Sequence, residues 1–141
     1  MSGFLLDTNC ISELIRSKPE PRVIGWMRVA DESLLYLSVL TLGEIRRGAA
    51  ALPQSKRRSY LESWLESELQ VRFSGRILAI DNPVADRWGW LTAEAERKGR
   101  PLPAIDGLLA ATALHHNLTI VSRNVSDFTS TQVPVLNPWV A

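Results

Sequence analysis

The chain has 141 residues, 45% of them hydrophobic, which is the size and make-up of one ordinary globular domain. A formal net charge of +1 and a pI near 7.9 exclude a global basic field, so any electrostatic binding has to come from a local patch. The single cysteine, Cys10, excludes an intrachain disulfide and a cysteine-built zinc site and fits a reducing cytoplasm. No run approaches a signal-peptide core or a membrane span.

Phe4-Leu5-Leu6 runs straight into Asp7 and reads as a short buried strand ending on a carboxylate. Residues 9–16 carry Ile11, Leu14 and Ile15 at helical spacing, with Thr8 or Asn9 as cap. Pro19 and Pro21 break that helix, and Pro21 suits the first turn of the next, which carries Val23, Ile24, Trp26 and Met27. A second strand at 34–37 closes on Ser38. A third helix opens at Thr41-Leu42-Gly43-Glu44 and runs to about Ala51. From Ser55 to about Val71 an amphipathic helix presents Leu61, Trp64, Leu65 and Leu69 on one face.

Residues 77–80 form a third strand, again ending on an acid, Asp81. Asn82-Pro83 then starts a helix with Val84, Trp88, Leu91 and Ala95 as its stripe. After the loop at 98–101, Pro103 starts a helix that is apolar nearly all round and therefore buried. A fourth strand at 118–121, a helical turn at 124–128 and a last strand at 133–136 complete the chain, and Pro134 makes the last strand an edge. Strands alternating with helices predict one α/β domain over residues 1–141, built on a mostly parallel sheet of about five strands.

In such a sheet, ligands and chemistry sit at the carboxyl ends of the strands. Asp7, Glu44, Asp106, Asn124 and Asp127 all fall just after a strand or in the first turn of a helix. Each has a bland alternative. Asp7 is a good cap, and Thr41-x-x-Glu44 matches a capping box, in which the glutamate returns to the backbone. Asp106 lies where a helix dipole favours an anion by about 0.3–1 kcal/mol, which is less than the several kcal/mol of desolvating a carboxylate. Carboxylates brought together repel one another unless a cation relieves them. Oxygen donors without histidine or cysteine select Mg²⁺ or Mn²⁺, a site suited to hydrolysing a phosphodiester.

Leu-Leu-Asp7-Thr8-Asn9-x-x-Ser12-Glu13 and Leu-Ser38-x-x-Thr41-x-x-Glu44-x-x-x-Gly48 resemble the PIN-domain ribonucleases. Ala104-x-Asp106-Gly-x-x-Ala110-Ala-Thr112-Ala and Val-Ser122-Arg123-Asn124-x-x-Asp127-Phe128 extend the resemblance to the VapC/FitB-like toxins of bacterial toxin–antitoxin pairs, as does the ending Asn137-Pro138-Trp139. It covers essentially the whole chain. It implies a three-layer α/β/α sandwich and a Mg²⁺- or Mn²⁺-dependent endoribonuclease, dimeric and inhibited by a small antitoxin. The family's acids fall on Asp7, Glu44 and Asp106 as metal ligands. The fourth position, often Asp in relatives, falls on Asn124 here, with Asp127 one turn on. Ser122 matches a position that supports the site from behind, and Asn9 is placed with it.

His115 and His116 are adjacent and lack a partner at ligand spacing, so they read as helix-end residues, and Cys10 reads as a packing residue. Arg46, Arg47, Arg57 and Arg58, with Lys56, are either a solvated helix face or an RNA-backbone rim beside Glu44. Trp90, off its helix's apolar stripe, is the candidate for a dimer or antitoxin contact. Two other readings stand beside the nuclease. One is a haloacid-dehalogenase-like phosphohydrolase, which would want a second Asp where this chain has Asn9. The other is a PIN-like interaction module with weakened catalysis.

Overall fold

Alternation along β1 (Phe4–Leu6) sets the layering of the molecule, a computed structural model that describes residues 3–140. Successive strand residues point to opposite faces of a sheet. Leu6 accordingly enters a core cluster with Leu35, Leu37 and Val121, while Leu5 enters a second cluster with Ile120, Leu109 and Phe128. The sheet is thus covered on both faces, as an all-parallel sheet requires. Its five strands are β1, β2 (Leu35–Ser38), β3 (Ile77–Leu78), β4 (Thr119–Val121) and β5 (Val135–Leu136), in the order β3-β2-β1-β4-β5. Every pairing is parallel, with Leu5 beside Tyr36 on one side and beside Ile120 on the other. The expected three-layer α/β/α architecture is therefore present, with β5 at an edge.

One outer layer holds α1 (Thr8–Ser12) with its 3₁₀ extension Glu13–Ile15, α2 (Pro21–Val29), α3 (Val39–Ala50) and α4 (Lys56–Ser63). From α4 the chain passes through a π turn, Trp64–Leu69, into α5 (Gln70–Arg72). The sequence led us to expect one regular helix here, and the π turn has a geometric reason. Leu61, Leu65, Leu69 and Phe73 are all buried, yet four residues overshoot an α turn by about 40°. A stretch of wider turns reverses that drift and keeps all four on the core side.

The opposite layer holds α6 (Asn82–Arg97), α7 (Ala104–His115) and the 3₁₀ segment Val125–Thr131. As the composition of α7 predicts, Gly107 and every residue of 109–113 are buried. Asp81 caps α6, accepting the Val84 N–H. Strand β3 ends at Leu78 instead of Ile80. Its neighbour β2 turns into α3 after Ser38, the residue beside Leu78, so Ala79 and Ile80 have no backbone to pair with.

Among the described residues, no helix is long and apolar enough to cross a membrane.

Candidate active site

Strand β1 lies between β2 and β4, so the chain leaves it toward one side and returns later to the other. The crevice where the winding reverses opens at the carboxyl ends of β1 and β4, the place where open α/β sheets bind ligands. Asp7 follows β1 there, and its N–H still donates to the Val121 carbonyl at 2.9 Å. Ser122 follows β4, fully buried, and donates its hydroxyl to Asp7 Oδ2 at 2.8 Å. The other oxygen, Oδ1, accepts the Thr8 N–H at 2.8 Å, so Asp7 does cap α1. Capping and the hydrogen bond from Ser122 do not compete, because the carboxylate uses a different oxygen for each.

Burial raises the Asp7 pKa above its ordinary value against the pull of the Ser122 and Thr8 hydrogen bonds. The negative charges of Glu44 and Asp127 push it in the same direction as burial. Asp106, half-buried in the first turn of α7, is pushed up to about 6, first by desolvation and then by the charges of Asp127, Asp7 and Glu44. Four carboxylates from four separate parts of the chain therefore share one electrostatic neighbourhood.

The capping box expected at Thr41 and Glu44 is not formed. Ser38 caps α3 instead, accepting the Leu40 N–H at 3.0 Å, which moves Glu44 beyond the first turn. The side chain is thereby released from the backbone, and Glu44 Oε1 accepts the Thr8 hydroxyl at 2.5 Å. That hydroxyl also lies 3.3 Å from the Thr41 hydroxyl. Thr8 is the residue missed by sequence reasoning, which assigned it only a capping role. It joins the ends of β1 and α3 by holding Glu44 beside Asp7. Its signal in the sequence is the run of three polar residues, Asp7-Thr8-Asn9, directly after an apolar strand.

The Asn9 amide donates to Ser122 Oγ at 3.3 Å, on the far side of that hydroxyl's bond to Asp7. The Asn124 N–H donates to the same oxygen at 3.0 Å. The Asn124 side chain is exposed and makes no capping hydrogen bond to the 3₁₀ segment that follows. Asp127 is also exposed, one turn on, and shares with Asp106 the wall of a cavity of about 240 Å³.

The basic residues divide. Arg46 pairs with Glu62 and Glu66, and Arg58 with Glu62, so the acids they answer to come from later in the same helical hairpin. Arg46 clamps α3 to the α4 region, while Arg58 pairs within α4 and donates to the Leu52 carbonyl at 3.1 Å, so neither is a free rim. Arg57 lies over the Tyr60 ring and donates to the Ile15 carbonyl. Arg47 is exposed and has no ion pair among the described residues. His115 and His116 are exposed at the end of α7, and Cys10 is buried against Met27.

The donor chemistry at the crevice suits a hard divalent cation: oxygen ligands only, mutually repelling, with two acids held above their usual range. Among the described residues, no three His, Cys, Asp or Glu side chains enclose a metal ion as they stand.

Comparison with known proteins agrees with this geometry. The PIN domain family matches residues 4–132. The toxin FitB of Neisseria gonorrhoeae is 40% identical over 135 residues, covering 96% of this chain and 97% of that protein. The VapC ribonuclease Y4jK of Sinorhizobium fredii is 36% identical over 135 residues and 96% of each chain. The crystal structure of FitAcB from Neisseria gonorrhoeae superposes with a TM-score of 0.93 at 39% identity, covering 98% of this chain and 99% of that one. Sheet order, a crevice built from acids at strand ends and full-length similarity agree: the chain belongs to the PIN-domain family of VapC/FitB toxins.

Proposed function

We propose that the chain is a Mg²⁺- or Mn²⁺-dependent endoribonuclease, the toxin of a type II toxin–antitoxin module, acting on single-stranded or looped RNA. The observation that carries this reading is Asp7. It is buried at the switch point, held by Ser122 and Thr8, and surrounded by the charges of Glu44, Asp106 and Asp127. Names among the relatives support it, one being called a toxin and another a ribonuclease.

Asp7, Glu44 and Asp106 would hold the cation. A hard divalent cation bound there supplies neutralising charge and an acidified water. The chain's own residues do the rest. Ser122 and Thr8 fix the two oxygens of Asp7, and Thr8 orients Glu44. Asn124 would orient the attacking water, and Asp127, exposed and sharing a cavity wall with Asp106, would receive its proton. The antitoxin, a second copy of the chain and the RNA are the proposed partners, with Arg47 and Arg57 as backbone contacts and Arg46 and Arg58 fixing the hairpin that carries them.

The test is cleavage of a labelled single-stranded RNA in Mg²⁺ or Mn²⁺. Asp7→Asn is expected to lose cleavage by at least a hundredfold while keeping the wild-type circular dichroism, the scale of a lost catalytic group. Wild-type rates in that variant would end the assignment. The interaction-module reading draws on Asn124 in the fourth position and on carboxylates that do not yet enclose an ion. Calorimetric titration with Mn²⁺ separates the two, because the module takes up no cation.

A further inference from the structure

The cavity shared by Asp106 and Asp127 is also lined by basic, apolar and hydroxyl-bearing residues. Arg100, Pro101 and Pro103 come from the loop before α7, and Ser126 and Ser130 from the segment after β4. Arg100 is exposed and makes no ion pair among the described residues, although two carboxylates line the same cavity. Its backbone N–H is committed to the Ala95 carbonyl, and Gly99 before it takes φ +69°, so the loop is held while the guanidinium stays available. A guanidinium, apolar rings, hydroxyls and two carboxylates thus line one cavity of about 240 Å³.

We infer that this cavity is a subsite for the ribonucleotide next to the scissile phosphate, with Arg100 binding the neighbouring phosphate and Ser126 and Ser130 reading the ribose 2′-hydroxyl. The inference rests on the nuclease reading for where the scissile phosphate lies, beside Asp106 and Asp127. Each wall has a matching part of the ligand. A guanidinium binds phosphate oxygens in a fork geometry. Proline rings give the sugar and base an apolar face, and serine hydroxyls both donate to and accept from a 2′-hydroxyl. That hydroxyl is the group by which a protein tells RNA from DNA at one position. A peptide would also find an arginine and two acids here, but the paired serines beside prolines favour a sugar.

The test measures binding separately from cleavage. The Asp7→Asn protein is titrated with a fluorescein-labelled octaribonucleotide and its deoxy counterpart at several salt concentrations, by anisotropy. Adding Arg100→Ala is expected to weaken RNA binding about tenfold and to reduce the logarithmic salt slope by about 0.7, the signature of one lost phosphate contact on a single strand. Adding Ser126→Ala with Ser130→Ala is expected to remove the preference for RNA over the deoxy strand and leave the salt slope unaltered. Unchanged RNA affinity and salt slope in Arg100→Ala overturn the subsite, whatever that residue does for a protein partner. Failure of the nuclease reading shows differently: wild-type chain that leaves RNA intact in Mn²⁺ while Arg100 still governs RNA binding keeps the subsite as a binding site and removes only the chemistry.

Discussion

Ser122 is the residue on which the crevice depends most. Its buried hydroxyl donates to Asp7 and accepts from both the Asn9 amide and the Asn124 N–H. Ser122→Ala strands a buried carboxylate oxygen, so the expected cost is about 1–3 kcal/mol in urea unfolding, with cleavage reduced alongside. Unchanged stability would mean that water replaces the hydroxyl. Asp106 gives a pH prediction. Its folded pKa, about 6, lies above the ordinary 3.8, so the folded chain holds the proton more tightly than the unfolded chain. The resulting stabilisation is complete below about 3.8 and is lost as pH rises through about 6. In cation-free buffer, Asp106→Asn should therefore melt above wild type near pH 7 and converge with it near pH 4. Parallel melting curves across that range would show that the charges around Asp106 do not act as described.

At the scale of elements, packing of α6 on α7 positions Asp106. A Cβ built at Gly107 would stand 3.0 Å from Trp88 Cδ1, 3.1 Å from its Nε1 and 3.2 Å from Leu102 Cδ2. Trp88 Nε1 is itself buried without a hydrogen-bond partner, so the indole is wedged rather than tethered. Gly107→Ala gains about 1 kcal/mol of helix propensity against about 1–3 kcal/mol for overpacking. The expected net result is a destabilised chain with shifted tryptophan emission, and a raised melting temperature would show that the indole yields freely. The α3–α4 hairpin obeys a different logic. Arg46 reads in sequence as part of a basic run without acids, because its partners Glu62 and Glu66 lie across the hairpin, whereas Arg58 pairs with Glu62 one turn on in its own helix. The capping box failed for a similar reason. Thr41-x-x-Glu44 is a valid local pattern, but β2 ends at Ser38, and the helix starts where the strand stops.

For the whole molecule, the divalent cation and the second copy are the expectations to test. Mn²⁺ at saturating concentration should raise the wild-type melting temperature near neutral pH, as any ligand of the folded state does, and should leave Asp7→Asn unmoved. Trp90 is 67% exposed on α6, a large apolar ring facing solvent. Trp90→Ser is expected to change stability by less than about 0.5 kcal/mol while shifting the sedimenting species toward the single chain. An unaltered sedimentation profile would place the contact elsewhere.

Read without its structure, the chain determined the fold class, five strands in their places and the acids that meet, because short apolar runs ending on polar residues are local patterns with few physical alternatives. The approach of Asp7 and Asp106 to each other was legible for that reason, whereas Ser122 was singled out through the resemblance to PIN-domain nucleases. Which pairings form was decided only in three dimensions. Thr8 reaches Glu44 across 36 positions and Ser122 reaches Asp7 across 115, and no local periodicity encodes such distances. The π turn, the release of Glu44 from its cap and the cavity beside Arg100 likewise follow from how layers pack on the sheet. Packing acts between elements, whereas propensity and patterning act within them.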